Sequence, residues 1–342
     1  MADENSANLR ALEALMDEFF SPTTTNARKA EIEKVLANFS GQSAAWKDCL
    51  YFLTNTSNHY VCMFSLTTLE TFIHRRWVGM LGSDRAEIRT NLNNFLFQHH
   101  TTAPQFIKNK LIKLIVDIAR SDWPHFYPEF FTQILSLLTP STPSTTTLGL
   151  TMLLTSSEEL ATPREDISTS RATELRKLMT AQVSHISLSL TSLLELVLDK
   201  DSQSRTPPPS PSVSNDSEDS NSMDGSNIPV FTSSPLHTGS LLHAASLKVL
   251  SHSRKSSPVV QLPLDQQSRD IAQLCLKCLA HIFTWANLSL TVSSRLINVL
   301  FQYASLEVKS QVCYFSVMLQ GMSLNIAAQP FNSYICILTD LQ

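Results

Sequence analysis

Two cysteines and a histidine late in the chain have the spacing that best suits metal binding. Cys275 and Cys278 are separated by two residues, and His281 follows three residues later. A structural zinc site needs four ligands in a tetrahedron, and no second Cys-x-x-Cys or His-x-x-x-His sequence lies nearby to complete one. The helix face that these residues would share is otherwise apolar. We therefore interpret the two cysteines as buried core thiols and expect no metal site.

Histidines elsewhere are the candidates for acid–base chemistry. His59, His74 and the pair His99-His100 have no carboxylate or nucleophile at a spacing that suggests a catalytic unit. Catalysis needs a base, a group that orients it and a stabiliser of developing charge held together in one place. The sequence offers no such set, so we expect no enzyme activity.

Two pairs of adjacent acids and the scarcity of glycine also bear on catalysis and cofactor binding. Glu158-Glu159 and Glu165-Asp166 are neighbours in sequence, which on a helix places their side chains on different faces. Only 7 of the 342 residues are glycine, and no G-x-S-x-G, G-x-G-x-x-G or G-x-x-x-x-G-K-[ST] motif occurs. The sequence therefore predicts no catalytic residue and no bound cofactor.

A group of basic residues is the most informative polar feature. The stretch between positions 74 and 120 contains eight Lys or Arg residues and three acids. Its charge is therefore +5, within a chain of net charge −4. The pattern fits either an ordinary solvated face or a docking strip for an acidic partner. Nucleic acid is not expected, because the pI is about 6.2 and the nearby aromatic residues fall on apolar stripes. The eight are Arg75, Arg76, Arg85, Arg89, Lys108, Lys110, Lys113 and Arg120.

Apolar residues recur at i, i+3 and i+4 through most of the chain, which predicts paired amphipathic helices. The pairs begin near positions 6, 43, 83, 122 and 164, a period of about 40 residues that is typical of HEAT-type arrays. The fold class predicted is all-α, an α-solenoid of HEAT-type antiparallel helix pairs with about six repeats. We expect helices at about 6–20, 26–40, 43–53, 58–78, 83–97, 104–120, 122–138, 144–160, 168–199 and 266–286.

One long segment departs from this pattern. Residues 201–265 are rich in serine, proline and acids, and they lack enough apolar surface to offset the entropy of ordering. We expect a disordered insert there, between HEAT repeats at 6–200 and further HEAT helices at 266–305. Its Ser/Thr-Pro dipeptides are candidate phosphorylation sites, namely Thr206, Ser210, Ser234 and Ser257.

The remaining composition places the chain inside the cell. The first residues are acidic and lack the basic and apolar regions of a signal peptide. The apolar run at 111–118 is broken by Lys113 and Asp117, so we expect no membrane insertion. The six cysteines are scattered within apolar patterns, which favours reduced thiols over a disulfide framework.

Several segments, taken in order, resemble the nuclear transport receptors of the importin-β family. Residues 26–97 are similar to the amino-terminal region of that family, and residues 98–200 are similar to its exportin region. The run Asp122-Trp123-Pro124 to Phe131 resembles a Trp-Pro…Pro-x-Phe element of these receptors. Residues 147–166, 171–178 and 206–211 resemble most the family member that carries profilin–actin out of the nucleus.

The resemblance implies a binding protein that acts without chemistry. It implies Ran in its GTP state as a partner, together with protein cargo (profilin–actin) and nuclear pore proteins, in a receptor that shuttles between nucleus and cytoplasm. The second helix of each pair should line the inner face, where the Ran-binding candidates are Arg75, Arg76, Lys108, Lys110 and Lys113. Lys110 and Lys113 are three residues apart and lie on one flank of the apolar stripe.

Four residues of the Trp-Pro element are expected to be structural. Pro124 and Pro128 would fix the start of a helix, and Trp123 and Tyr127 would fill the seam between repeats.

The chain departs from the family in two respects. Members of the family have many more HEAT repeats than this chain, and from about 306 to 342 the family pattern is lost. We therefore expect a fragment or short isoform with a divergent tail. The alternative is a HEAT-repeat scaffold that binds other proteins independently of Ran.

Overall fold

The computed structural model describes residues 2–139, 142–162, 167–204 and 264–305, and the regular structure in these ranges is entirely helical. The all-α prediction is therefore confirmed. The helices are α1 (Ala2–Phe20), α2 (Asn26–Ser40), α3 (Ala45–Asn55), α4 (His59–Arg76), α5 (Gly82–His99), α6 (Gln105–Asp122), α7 (Phe130–Ser136), α8 (Pro143–Ala161), α9 (Thr169–Ser204), α10 (Gln266–Trp285), α11 (Leu288–Thr291) and α12 (Ser294–Ser305). The predicted phosphorylation sites Thr206, Ser210, Ser234 and Ser257, and the tail at 306–342, lie outside the described residues.

Polar side chains fix several helix starts. Thr25 accepts a hydrogen bond from the Arg28 amide at the start of α2, at 3.3 Å. Asp265 accepts one from the Ser268 amide at 2.8 Å at the start of α10. These residues satisfy backbone donors that have no partner within their own helix. At the start of α5 the helix begins at Gly82 after Leu81 without a side-chain cap, so the predicted start at 83 is one residue late.

Successive second helices pack on one another. Helix α4 contacts α6, α6 contacts α8, and α8 contacts α10, while α3 packs on both α4 and α5. One continuous apolar core runs through these helices. Because each helix pair buries its apolar surface against its neighbours, the arrangement is that of a HEAT-type array. The predicted stripe on α6 is buried throughout, with Ile107, Leu111, Leu114 and Ile118 almost fully enclosed.

The segment between α6 and α7 corrects one prediction. Pro124 follows a cis peptide bond in a turn, and α7 begins only at Phe130, so neither Pro124 nor Pro128 lies at the first turn of a helix. The backbone carbonyls here are occupied by side chains instead of by helical hydrogen bonds. Arg89 donates to the Phe126 carbonyl at 2.7 Å, and Arg171 donates to the Trp123 carbonyl.

Helix α9 continues past its expected end at 199, to Ser204. The stretch Thr169–Lys200 is long enough to cross a membrane, and it contains an 18-residue window with a mean hydropathy of 1.3, so it passes that test by length and composition only. In the array its apolar side is covered by α8, α10, α11 and α12. Leu175, Met179 and Val183 are completely buried in this contact. The structure therefore uses this helix to build the core of the array.

Candidate partner-binding surface

Two of the predicted binding lysines lie where α6 meets its neighbours. Lys110 on α6 forms an ion pair with Glu70 on α4, and only 18% of its side chain is exposed. Further along, Nε2 of His74 on α4 lies 3.4 Å from Oδ2 of Asp117 on α6. Residue numbers increase together along this contact, so the two helices run in the same direction, as second helices of successive repeats do.

Lys113 continues this contact to the next repeat. Its Nζ lies 3.3 Å from Asp117 Oδ1 and 3.4 Å from Oε1 of Glu159 on α8. Asp117 is buried and also accepts a hydrogen bond from Arg120 at 2.5 Å. We call this set the polar seam; it consists of Glu70, His74, Lys110, Lys113, Asp117 and Glu159.

A second polar contact joins α8 to α10. The Ser157 hydroxyl lies 2.8 Å from Nδ1 of His281, and Trp285 donates its indole N–H to the same oxygen at 3.0 Å. Because a hydroxyl has one donor and two acceptor sites, Ser157 can donate to Nδ1 of a neutral imidazole while it accepts from Trp285. Burial lowers the pKa of His281, which keeps the ring in that neutral form. Burial, together with neighbouring Glu159, raises the pKa of Glu158.

The polar seam changes the meaning of the +5 charge count. Glu70 and Glu159 lie outside the counted stretch in sequence, but they contact Lys110 and Lys113 in space. A partner can reach the charge of either lysine only by competing with these internal carboxylates. The one signal visible in the sequence was the i, i+4 spacing of Lys113 and Asp117, because such pairs lie on one helix face.

Three more of the basic residues support the fold. Arg85 Nη1 lies 3.2 Å from Oδ1 of Asp122, and Arg89 Nη1 lies 3.6 Å from Oδ2 of the same carboxylate. Trp77 donates its indole N–H to Asp122 Oδ1 at 2.9 Å. Arg120 is itself almost fully buried. Arg85 and Arg89 hold the turn after α6 in place, and all three arginines present little charge to solvent.

The other candidate cations are differently placed. Arg75 and Arg76 are exposed at the end of α4, where the helix dipole favours positive charge. The Arg76 guanidinium lies over the Phe72 ring, 5.7 Å from its centre. Lys108 is half-buried and lies about 200° around α6 from Lys110, so the two lysines face different directions. Across the described ranges, the ion pairs involve none of these three residues.

The structure thus separates the five predicted contacts into two groups. Lys110 and Lys113 belong to the polar seam, whereas Arg75, Arg76 and Lys108 form no ion pair with any of the residues that the structure describes. It does not bring all five together on one face.

Two aromatic residues of the Trp-Pro element, Trp123 and Tyr127, are enclosed by the array, whereas Phe126 is exposed. Trp123 and Tyr127 are buried, Pro124 is half-buried and Pro128 is exposed. The Tyr127 hydroxyl accepts a hydrogen bond from Asn93 and donates one to Gln133, each at 3.0 Å. Burial raises the pKa of Tyr127 to about 12, so the phenol stays protonated. These contacts tie the turn to α5 and α7.

The cysteine pair lies in the core of α10. The thiol of Cys275 donates to the Leu190 carbonyl at 3.5 Å, and that of Cys278 donates to the Leu150 carbonyl at 3.4 Å. Both are completely buried, and burial raises the pKa of both thiols. The described ranges contain no cluster of three His, Cys, Asp or Glu side chains that could hold a metal ion.

Two family models match the helices that carry this surface. Residues 32–98 match the "Importin-beta N-terminal domain", and residues 104–217 match the "Exportin 1-like protein" model. The first match covers most of α2 through α5, and the second begins just before α6. Arg75 and Arg76 fall in the first, and the lysines of α6 fall in the second.

Curated relatives point in the same direction. Exportin-6 of Homo sapiens is 47% identical over 308 residues, which is 89% of this chain and 25% of the relative. Exportin-6-A of Xenopus laevis is 45% identical over 90% of this chain and 25% of its own length. Exportin-6 of Dictyostelium discoideum is 23% identical over 95% of this chain and 28% of its own length.

These similarities confirm the predicted family. The chain belongs to the importin-β family, among its exportins. Within that group it corresponds to the amino-terminal portion of an exportin similar to exportin-6, and it spans about a quarter of the length of these relatives.

Proposed function

We propose that this chain forms the Ran-binding end of a nuclear export receptor. The observation that carries the proposal is the 47% identity to exportin-6, together with the match of residues 32–98 to the importin-β amino-terminal domain. The receptor would bind Ran in its GTP state and carry protein cargo from nucleus to cytoplasm, so that it is found in both compartments. Its action is reversible binding, with positive coupling between the Ran and cargo sites.

The exposed cations support an acidic partner. Arg75, Arg76 and Lys108 carry charge that no carboxylate of the described residues neutralises. Such groups attract an acidic surface over long range and raise the rate of association. Lys110 and Lys113 contribute after contact, when acids of the partner replace Glu70 and Glu159.

Cargo and pore contacts rest on the similarity to exportin-6. By that similarity the cargo is profilin–actin, and nuclear pore proteins are transient partners during passage. The chain spans a quarter of its relatives, so these partners are assigned to the longer protein.

A nucleotide-dependent titration tests the proposal. The chain is titrated with Ran loaded with a non-hydrolysable GTP analogue and, separately, with GDP. We expect tighter binding of the GTP form, and at least tenfold weaker binding after Arg75→Glu with Arg76→Glu.

The matched control is Arg176→Glu with Lys177→Glu. This pair is also exposed and adjacent on a helix, and its reversal changes the net charge equally, but it lies on α9. We expect it to leave the affinity unchanged. Equal affinity for both nucleotide forms, or no binding, would indicate a HEAT-repeat scaffold that is independent of Ran.

A further inference from the structure

The turn between α4 and α5 displays two aliphatic side chains to solvent. Val78 is 90% exposed and Leu81 is 71% exposed, the highest values among the large apolar side chains of the described residues. Both follow the exposed Arg75 and Arg76 closely in the sequence. Isolated exposed aliphatic residues are common on soluble proteins, so the surroundings of this pair decide its meaning.

The turn that carries them is firmly anchored. Trp77 is buried and donates its indole N–H to the buried Asp122 at 2.9 Å. Asp122 is held in turn by Arg85 and Arg89. Met80, between the two exposed residues, packs against the core. Val78 and Leu81 therefore stay exposed because the backbone is fixed on either side of them, and little ordering entropy is lost when a partner covers them.

The adjacent charges indicate the chemistry of that partner. Arg75 and Arg76 precede Val78, and Arg76 is supported by its contact with the Phe72 ring. The acid of this stretch, Asp84, is half-buried and its Oδ1 accepts from Ser83 at 3.5 Å. A surface complementary to this turn carries carboxylates beside an aliphatic or aromatic side chain.

We infer that Val78 and Leu81 are the apolar part of the partner-binding surface whose cationic part is Arg75 and Arg76. This inference rests on the proposed function, in which the partner is GTP-bound Ran. The two parts act at different stages of binding. Cations accelerate encounter and make it sensitive to salt, whereas desolvated apolar contacts slow dissociation.

Binding kinetics at two salt concentrations separate the two parts. The chain is immobilised, and association and dissociation of Ran loaded with the GTP analogue are measured for the wild type, Val78→Ser with Leu81→Ser, and Arg75→Glu with Arg76→Glu. For the serine variant we expect faster dissociation, with affinity lower by on the order of tenfold to a hundredfold, and an unchanged salt dependence. For the glutamate variant we expect slower association and a weaker salt dependence.

Two controls keep the result interpretable. Leu188→Ser removes an aliphatic residue of α9 that is 53% exposed, and it should leave both rates unchanged. Thermal unfolding of each variant should match the wild type. Val78→Thr, which keeps the side-chain shape, replaces the double variant if the latter is destabilised; it should also speed dissociation.

The outcomes distinguish the inference from the proposal beneath it. If the wild type binds and the Val78 and Leu81 variants dissociate at the wild-type rate, the inference is wrong and the proposed function stands. If the wild type fails to bind GTP-bound Ran, the proposed function itself is wrong.

Discussion

Lys113 on α6 and Glu159 on α8 lie 3.4 Å apart, Nζ to Oε1, across 46 residues of sequence. The same ammonium group contacts Asp117, whose side chain is only 1% exposed. A residue expected to face a partner is therefore also a link between successive repeats. Its substitution will affect stability as well as binding.

Reversing the charge of Lys113 should destabilise the array. Lys113→Glu places a third carboxylate beside Asp117 and Glu159, and we expect the free energy of unfolding to fall by about 2 kcal/mol. Lys108→Glu on the same helix lacks such neighbours and should change it by less than about 0.5 kcal/mol. Urea unfolding followed by circular dichroism measures both. Equal stability of the two variants would show that the polar seam contributes nothing.

Substitution of Asp122 should lower the free energy of unfolding more than substitution of most other polar residues. Asp122→Ala removes the partner of Arg85, Arg89 and Trp77 together, and we expect a loss of about 3–5 kcal/mol because buried charge is left uncompensated. Asp122→Asn keeps an acceptor for the indole and should lose less. Asp84→Ala is the control at a less buried acid. Thermal unfolding that ranks the three variants in another order would contradict this account.

Gly149 on α8 packs closely against the two leucines that follow α7. A Cβ at Gly149 would lie 2.7 Å from Leu137 Cβ and 3.1 Å from Leu138 Cδ2. Gly149→Ala should therefore destabilise by about 1–3 kcal/mol, despite the better helix propensity of alanine. At Gly79 an added Cβ meets nothing within 4 Å, so Gly79→Ala should change stability by less than about 1 kcal/mol. Unfolding midpoints in urea compare the two.

His281 should make the array less stable in mild acid. Burial lowers its pKa in the folded state, so as pH falls the unfolded chain, with a histidine pKa of about 6.5, takes up the proton first. Stability due to this residue is complete above the unfolded pKa and declines as pH falls through about 6.5 toward the folded pKa. His281→Gln keeps an acceptor for Ser157 without titrating in this range.

The measurement is the urea midpoint at pH 8 and at pH 5.5. We expect the urea midpoint of the wild type to fall more from pH 8 to pH 5.5 than that of His281→Gln. A variant that loses as much as the wild type would exclude His281 as the source.

The sequence predicted best what depends on local pattern. The range expected for α2 matches Asn26–Ser40, and the apolar stripe of α6 is buried as predicted. Both follow from helical periodicity and from turn residues that are adjacent in the chain. The burial of Cys275 and Cys278 followed from their apolar neighbours in the sequence. The sequence did not predict that His281 would contact Ser157 on α8.

Charge could not be predicted in the same way. Glu70 and Lys110 are 40 residues apart, and only the packing of α4 on α6 brings them together. Counting charges within one stretch therefore overstated the basic surface. The turn after Asp122 was missed for a similar reason, because the arginines that hold its carbonyls come from α5 and α9. Arg75 and Arg76 are exposed because both lie in the last turn of α4.

The helices before and after residues 205–263 contact each other, which has a consequence for changes in the number of residues between them. Helix α10 packs on α8 and α9, and the bond from Tyr303 Oη to the Leu194 carbonyl, at 2.9 Å, spans 109 residues. Contacts between helices therefore hold the array together across this point in the sequence. The entropic penalty of closing a loop rises only with the logarithm of its length, by about 0.6 kcal/mol for each doubling. Insertions or deletions at this point should therefore change the array's stability far less than a single misplaced methyl group at Gly149.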